Sequence, residues 1–307
     1  MRLSIVSTLY QSAPYVAEFC RRASEAARQV TPDFEIVLVN DGSPDDALAV
    51  ALEARKQNPR VKVIDLSRNF GQHKAMITGL MHARGELVFL LDSDLEEPPE
   101  ALTSFKAEID RTKADVVYGV QAKRRGNLFD RVTGAMFYTL FNTVTSIEIP
   151  RNQVTVRLMT RRYVQALVEH KEREMLIAAL WAITGFQQVA LPLDKTHKGS
   201  TTYDLRRKIA HIVNSITSFS SAPLVFVFYL GVTISLLSAA IGGYLVFKRL
   251  FFNVMLAGWP SLIVSIWLLG GLTLLSIGVI GVYLAKVFME VKQRPYTVIR
   301  EIYEARG

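Results

Sequence analysis

Residues 86–100, ELVFLLDSDLEEPPE, run an apolar stretch directly into Asp92, Asp94, Glu96 and Glu97. Carboxylates packed this closely repel one another unless positive charge sits among them. If extended backbone persists past Leu91, a period of two sends Asp92, Asp94 and Glu96 out of one face. Acids so placed suit a hard divalent cation, which takes oxygen ligands and commonly combines one or two carboxylates with the phosphates of its substrate. Their task is then to hold an anionic diphosphate, with no acid or base role required. The competing reading is a solvated strand end whose acids precede a helix begun by Pro98 and Pro99.

Other apolar runs end in similarly polar residues. LSIVSTL leads into TLYQS (8–12), FEIVLVN into NDGSPDD (40–46), and VKVIDLS into SRNFGQHK (67–74). With ELVFLL, DVVYGV, VTVRLM and QQVALPL they give the expected strands, and helical runs begin near Pro14, Pro44 and Gly71. This alternation predicts an α/β domain with a mostly parallel sheet. Ligands of such sheets bind beyond the carboxyl ends of the strands, which places Asp41, Arg68, Asn69, Asp92 and Asp94 around one crevice. Asn40 to Ser43 also reads as a plain turn in which Ser43 caps the helix at Pro44. Neither a Walker loop nor a glycine-rich dinucleotide fingerprint is present.

The chain has 307 residues, is 50% hydrophobic and carries a net charge of +8. This length predicts more than one domain. Its one cysteine, Cys20, cannot form an internal disulfide, which points to a reducing compartment. The opening MRLSIVSTLY lacks the features of a signal peptide. The positive excess fits nucleic acid, anionic lipid or phosphorylated small molecules, and its position decides between them. Residues 223–247 and 261–285 contain no Asp, Glu, Lys or Arg. Each exceeds the roughly 20 residues needed to cross a bilayer. The short segment between them predicts a transmembrane hairpin. Arg206, Arg207 and Lys208 precede it and Lys286, Lys292 and Arg294 follow, against Lys248 and Arg249 in the turn, so both long ends are expected in the cytoplasm. The expected organisation is a catalytic domain over 1–202, a juxtamembrane amphipathic helix over 203–222, two transmembrane helices within 223–285 and a cytoplasmic tail over 286–307.

VNDGS, SRNFGQHKAMITGL, DSDLEEPPE, VRLMTRRYV and KGSTTYDLRRK, with the terminal hairpin, resemble glycosyltransferase family 2 enzymes that load a sugar onto a polyprenyl phosphate. Dolichol-phosphate-mannose synthase and bacterial undecaprenyl-phosphate glycosyltransferases share this pattern. The resemblance implies a GT-A nucleotide-sugar-binding domain. It implies that Thr8, Leu9, Tyr10 and Gln11 border the base of a UDP or GDP sugar, with Asp41 on the nucleoside and Asn69 also in the donor site. Asp92, Asp94 and Glu96 fall at the diphosphate and metal positions, for Mn2+ or Mg2+, and Asp92 and Asp94 join Arg157 as catalytic candidates. The resemblance further implies Lys198 and Thr201 as phosphate ligands and Arg124 and Arg131 as the residues that hold the acceptor phosphate.

This chain departs from the family pattern with Thr8 for Pro, Gln11 for Asn, Glu96 for Gln and Thr155 for an acidic residue. Thr155 cannot act as a base at neutral pH, but a phosphate monoester has its second pKa near 6 and is already largely dianionic. The stripe Leu128, Val132, Met136, Phe137, Leu140, Phe141 and Val144, beside Lys123 to Arg125, suits the core or the membrane interface.

The implied reaction is sugar transfer to undecaprenyl phosphate at the cytoplasmic face of the inner membrane, for cell-envelope or lipopolysaccharide assembly. The implied partners are membrane lipids and, through the membrane helices, further copies of the chain up to a tetramer; nucleic acid is not among them. The alternatives are a processive polysaccharide synthase, for which two spans are too few to line a channel, and a non-catalytic scaffold that retains nucleotide-sugar binding.

Overall fold

Residues 3–9, 34–40 and 61–66 are buried along their whole length, as strands covered on both faces by helices must be. The computed structural model describes residues 2–121, 152–170, 177–193, 220–252 and 258–304, together with residues 150 and 217. All the expected strands form: β1 (Leu3–Leu9), β2 (Phe34–Asn40), β3 (Val61–Leu66), β4 (Leu87–Leu90), β5 (Val116–Gln121), β6 (Gln153–Thr160) and β7 (Gln188–Leu193). A further strand, β8 (Ile299–Tyr303), completes one sheet of order β7-β5-β6-β4-β1-β2-β3-β8. β1 pairs in parallel with β2 and β4, β2 with β3, and β5 with β7, while β6 runs antiparallel to β4 and β5. This is a GT-A-like α/β architecture.

The alternation of side chains divides the core into two layers. Leu3, Ile5, Leu9, Ile36 and Leu38 pack with α1 (Ala13–Val30), α2 (Ala47–Gln57) and α4 (Leu102–Thr112). Val6, Val37, Val39, Ile64 and Leu66 pack with α3 (Gln72–His82), α5 (Arg161–Glu169) and α6 (Ile177–Ile183). Gly79 lets α3 lie tight on the sheet, because a Cβ there would meet Val6 Cγ1 at 2.5 Å and Val39 Cγ2 at 3.0 Å. The close approach brings the start of α3 to the strand ends.

The segment 286–307 is not simply a tail. The helix before it runs on to Val291, and residues 299–303 pair antiparallel with β3, Ile302 opposite Ile64 and Glu301 opposite Asp65. The chain from Arg294 onward thus belongs to the compact unit that bears the sheet. A second compact unit contains α7 (Ala222–Phe252) and α8 (Trp259–Val291). Over Ala222–Tyr244 and Ser265–Val291 these helices are long and apolar enough to cross a membrane, and neither stretch is buried within the protein. The helix expected over 203–222 lies almost wholly outside the described residues, as does the stripe from Leu128 to Val144.

Candidate active site

Because β1, β2, β3 and β4 run in parallel, their carboxyl ends share one edge of the sheet. Hydrogen bonds tie the segments that leave it. Asp41 N–H donates to Leu9 O at 3.0 Å, Leu91 N–H to Val6 O at 3.2 Å, and Ser93 Oγ to Thr8 O at 2.9 Å. Gln11, in the left-handed region at φ 51, donates its N–H to Ser43 Oγ at 2.7 Å. Ser43 therefore does not cap α2, which begins only after Asp46. Its hydroxyl instead bonds Asp45, whose other oxygen accepts the Ala13 N–H at 2.8 Å. Burial raises the Asp45 carboxyl, but the bonds from Ser43, Ala13 and Ala47 outweigh it and hold the group below the usual carboxylate range.

Asp41 holds the next loop in place. Its two oxygens accept the N–H groups of Phe70 at 2.7 Å and Gly71 at 3.0 Å, and the residue is only 2% exposed. Burial pushes its carboxyl up, against the pull of those two N–H groups and of Arg68. Gly42 makes the turn possible. At φ +58 a Cβ would meet Asn69 N at 2.4 Å and Arg68 C at 2.5 Å, both backbone atoms. Gly42→Ala is expected to cost about 1–3 kcal/mol in backbone strain alone and to displace residues 68–69. Thermal unfolding together with nucleotide binding checks this, and an Ala variant matching the wild type in both would refute it.

The acidic segment does not keep the expected geometry. β4 ends at Leu90, residues 93–94 turn, and Leu95 takes a left-handed backbone at φ 62. Asp94 Oδ1 accepts the Glu96 N–H at 3.0 Å, and Asp92 Oδ1 accepts Gln72 Nε2 at 2.9 Å. A period of two therefore no longer relates Asp92, Asp94 and Glu96. Among the described residues no three His, Cys, Asp or Glu side chains form a metal-holding group. Asp92 and Asp94 remain half-buried at the strand end. One or two carboxylates suffice for Mg2+ or Mn2+ when substrate phosphates complete the coordination, so this donor set fits such an ion held jointly with a diphosphate.

Arg157 lies beneath the crevice. It pairs with Leu90 and Tyr118 across the sheet, is fully buried and stacks on the Trp181 indole. Its Nε and Nη2 donate to Thr155 O at 3.1 Å and Val154 O at 3.2 Å. Burial pushes its guanidinium down to about 9, with Tyr163, Glu97 and Tyr118 acting in the other direction, so it stays charged at neutral pH. Arg157 has no solvent access, and its guanidinium is engaged by the backbone carbonyls of its own strand and by the Trp181 ring. Leu9 is likewise wholly buried and Thr8 nearly so, leaving Tyr10 and Gln11 as the exposed members of their segment. Asn69 is exposed beside Arg68. Arg124, Arg131, Lys198 and Thr201 lie outside the described residues.

The family model for glycosyl transferase family 2 matches residues 4–168, more than half of the chain. The chain belongs to glycosyltransferase family 2. This transferase is 54% identical over 303 residues to a protein of Mycobacterium tuberculosis (strain CDC 1551 / Oshkosh) named as a glycosyltransferase, covering 99% of this chain and 89% of the relative. It is 30% identical over 305 residues to the SfII prophage-derived bactoprenol glucosyl transferase of Shigella flexneri, covering 98% of both chains. Among solved structures, the mannosyl-3-phosphoglycerate synthase of Rubrobacter xylanophilus aligns with a TM-score of 0.49 at 16% identity, over 71% of this transferase and 73% of that chain.

Ser43, Gln72 and Ser93 bond the segments that meet at this edge, and Glu97 is buried within electrostatic reach of Arg157. The first three act through hydrogen bonds between segments far apart in the chain, for which local sequence carries no signal.

Proposed function

We propose that this transferase moves a sugar from a nucleoside diphosphate donor, a UDP or GDP sugar, to polyprenyl phosphate at the cytoplasmic face of a membrane. One observation carries the reading. A family 2 transferase domain and two helices long enough to cross a membrane share one chain, and both fall within a likeness to a bactoprenol glucosyl transferase that spans 98% of each protein. The order of the strands supports a hairpin: β1 to β7 precede the helix pair and β8 follows it, yet all belong to one sheet. Crossings that leave one membrane face must then return to it. The basic residues flanking the pair favour the cytoplasm.

In this reading Tyr10 and Gln11 border the base, Asp41 and Asn69 shape the nucleoside site, and Asp92 and Asp94 face the diphosphate with Glu96 beside them. A bound Mn2+ or Mg2+ would supply positive charge against the leaving diphosphate. Lys198 and Thr201 add hydrogen bonds to that group, and Arg124 and Arg131 hold the acceptor phosphate. In-line placement by these side chains does most of the work, because the acceptor is already ionised.

Thr155, half-buried on β6, stands where the family pattern has an acid, and an acceptor that is already ionised needs no base there. Thr155→Val is therefore expected to retain transfer within about threefold; a loss of a hundredfold would restore a chemical role to its hydroxyl. The direct test combines the purified full chain, Mn2+ or Mg2+, a panel of labelled UDP and GDP sugars and undecaprenyl phosphate. Formation of a lipid-linked sugar monophosphate is expected, and no product with any donor would overturn the proposal.

A further inference from the structure

We propose that β8, the strand that follows both long helices, is part of the donor-binding machinery, and that Arg300 is its positioning residue. The inference rests on the reading that a nucleoside diphosphate occupies the carboxyl edge of the sheet.

Asp65, the next-to-last residue of β3, is only 1% exposed. A carboxylate buried so deeply must be satisfied on both oxygens. Asn40 Nδ2 donates to its Oδ1 at 2.7 Å, and Arg300 Nη1 donates to its Oδ2 at 3.0 Å. The same guanidinium donates through Nη2 to Ser67 O at 2.8 Å. Arg300 thus grips the side chain that ends β3 and the carbonyl that opens the loop to Arg68 and Asn69.

From Asp65 the contacts run inward. Asn40 turns its Oδ1 to the Ser43 N–H at 3.3 Å, and Ser43 Oγ accepts the Gln11 N–H at 2.7 Å. One guanidinium on the last strand therefore underpins all three loops that leave β1, β2 and β3. It also lines, with Asn40, Gly42, Ser43, Arg68 and Asn69, a cavity of about 490 Å3 at that edge. A fork with several donors in fixed geometry suits this task better than a point charge.

β8 has other anchors. Ser67 N–H donates to Val298 O at 2.8 Å, the Thr78 and Thr297 hydroxyls meet at 2.7 Å, and Arg55 Nη2 donates to Glu304 O at 2.7 Å. Lys62 and Arg84 pair with the Glu304 carboxylate at 3.2 and 3.1 Å. A change at Arg300 alone can therefore cut the relay while the strand stays docked.

The test uses the full chain in detergent or nanodiscs, with UDP and GDP as probes in the presence of Mn2+ and with donor kinetics. Arg300→Met is expected to weaken binding of the preferred nucleoside diphosphate and raise donor KM about tenfold or more, with kcat within about threefold. Arg300→Lys, which keeps the charge but not the fork, should recover part of the loss. Asn40→Ala breaks the relay further in while leaving the Arg300–Asp65 pair, and should reproduce the rise in KM. Glu304→Gln, which touches only the anchoring of β8, should leave KM unchanged. If Arg300→Met and Asn40→Ala both bind the probes as the wild type does, the inference is overturned. If the wild type binds neither UDP nor GDP, the reading of the donor falls first and the inference with it. A fall in kcat at constant KM would overturn the positioning role in favour of a general effect on the fold.

Discussion

Asp94→Asn is expected to lower kcat/KM for sugar transfer by roughly 10²–10³-fold, the scale seen when one preorganised electrostatic contact to a developing charge is removed. The side chain sits half-buried where β4 gives out, and its Oδ1 accepts the Glu96 N–H at 3.0 Å. Asparagine keeps an oxygen for that bond. The turn at residues 93–95 should therefore survive, and the variant reports the loss of negative charge alone. If Asp94 shares a divalent ion with the leaving diphosphate, the fall resides mainly in kcat and is only partly relieved by more Mn2+. Labelled-donor assays at several Mn2+ concentrations, with thermal unfolding as a control for the fold, measure it. Transfer within threefold of wild type would remove Asp94 from the reaction, and unchanged glycolipid levels in cells would favour a binding role for the protein over a catalytic one.

The second large effect concerns stability. Arg157 and Glu97 are both fully buried. Of the three side chains that favour the charged guanidinium, Tyr163 is pushed up to about 12 by burial and is neutral at physiological pH. Glu97 is left as the carboxylate of the group. Removing the buried guanidinium takes away the positive charge that acts on Glu97 together with its hydrogen bonds to Thr155 O and Val154 O, and disrupting a buried charged arrangement of this kind costs roughly 3–5 kcal/mol. Arg157→Met is expected to destabilise the sheet-bearing unit by that amount. Glu97→Gln should also destabilise it, for the converse reason. The double variant should recover much of the loss, since it also removes Nη1, which has no acceptor among the described residues. A double-mutant cycle from denaturant unfolding, read by amide exchange in β4 and β6, gives the coupling. Additive single effects would mean that the two charges do not feel each other. Because Glu97 closely follows Asp94, loosening this support should also reach the reaction, which makes Arg157 matter to activity from a distance.

The strands were legible because β-branched runs such as FEIVLVN and VKVIDL are bounded by turn residues, and because their polar ends all fall where parallel strands finish. The crevice followed from that arrangement. Local geometry did not. Leu95 adopts a left-handed backbone without the Gly or Asn that would announce it, so the face shared by Asp92, Asp94 and Glu96 could not be foreseen to break. Ser43 before Pro44 carries a sound capping signal, yet its hydroxyl is taken by Gln11, 32 positions away. The strand β8 was hidden by its own composition. Arg300 and Glu301 interrupt a five-residue run, which is how an edge strand is protected from pairing with other chains and also how it escapes a search for apolar runs. The resemblance singles out Arg157 as a catalytic candidate, but its depth becomes visible only once β4, β5 and α6 close around it.

The sheet also has an order of manufacture. Arg300 follows Ser67 by 233 positions, and both hydrophobic helices lie between them. At about 5–20 residues per second, a ribosome spends on the order of ten seconds or more between making β3 and making the strand that covers it. Throughout that interval the nascent chain carries an open sheet margin and a buried carboxylate still waiting for its cation. A fragment that stops before Ala222 would keep that margin open for good, so shortening this protein to make it easier to handle removes part of the very domain one hopes to isolate.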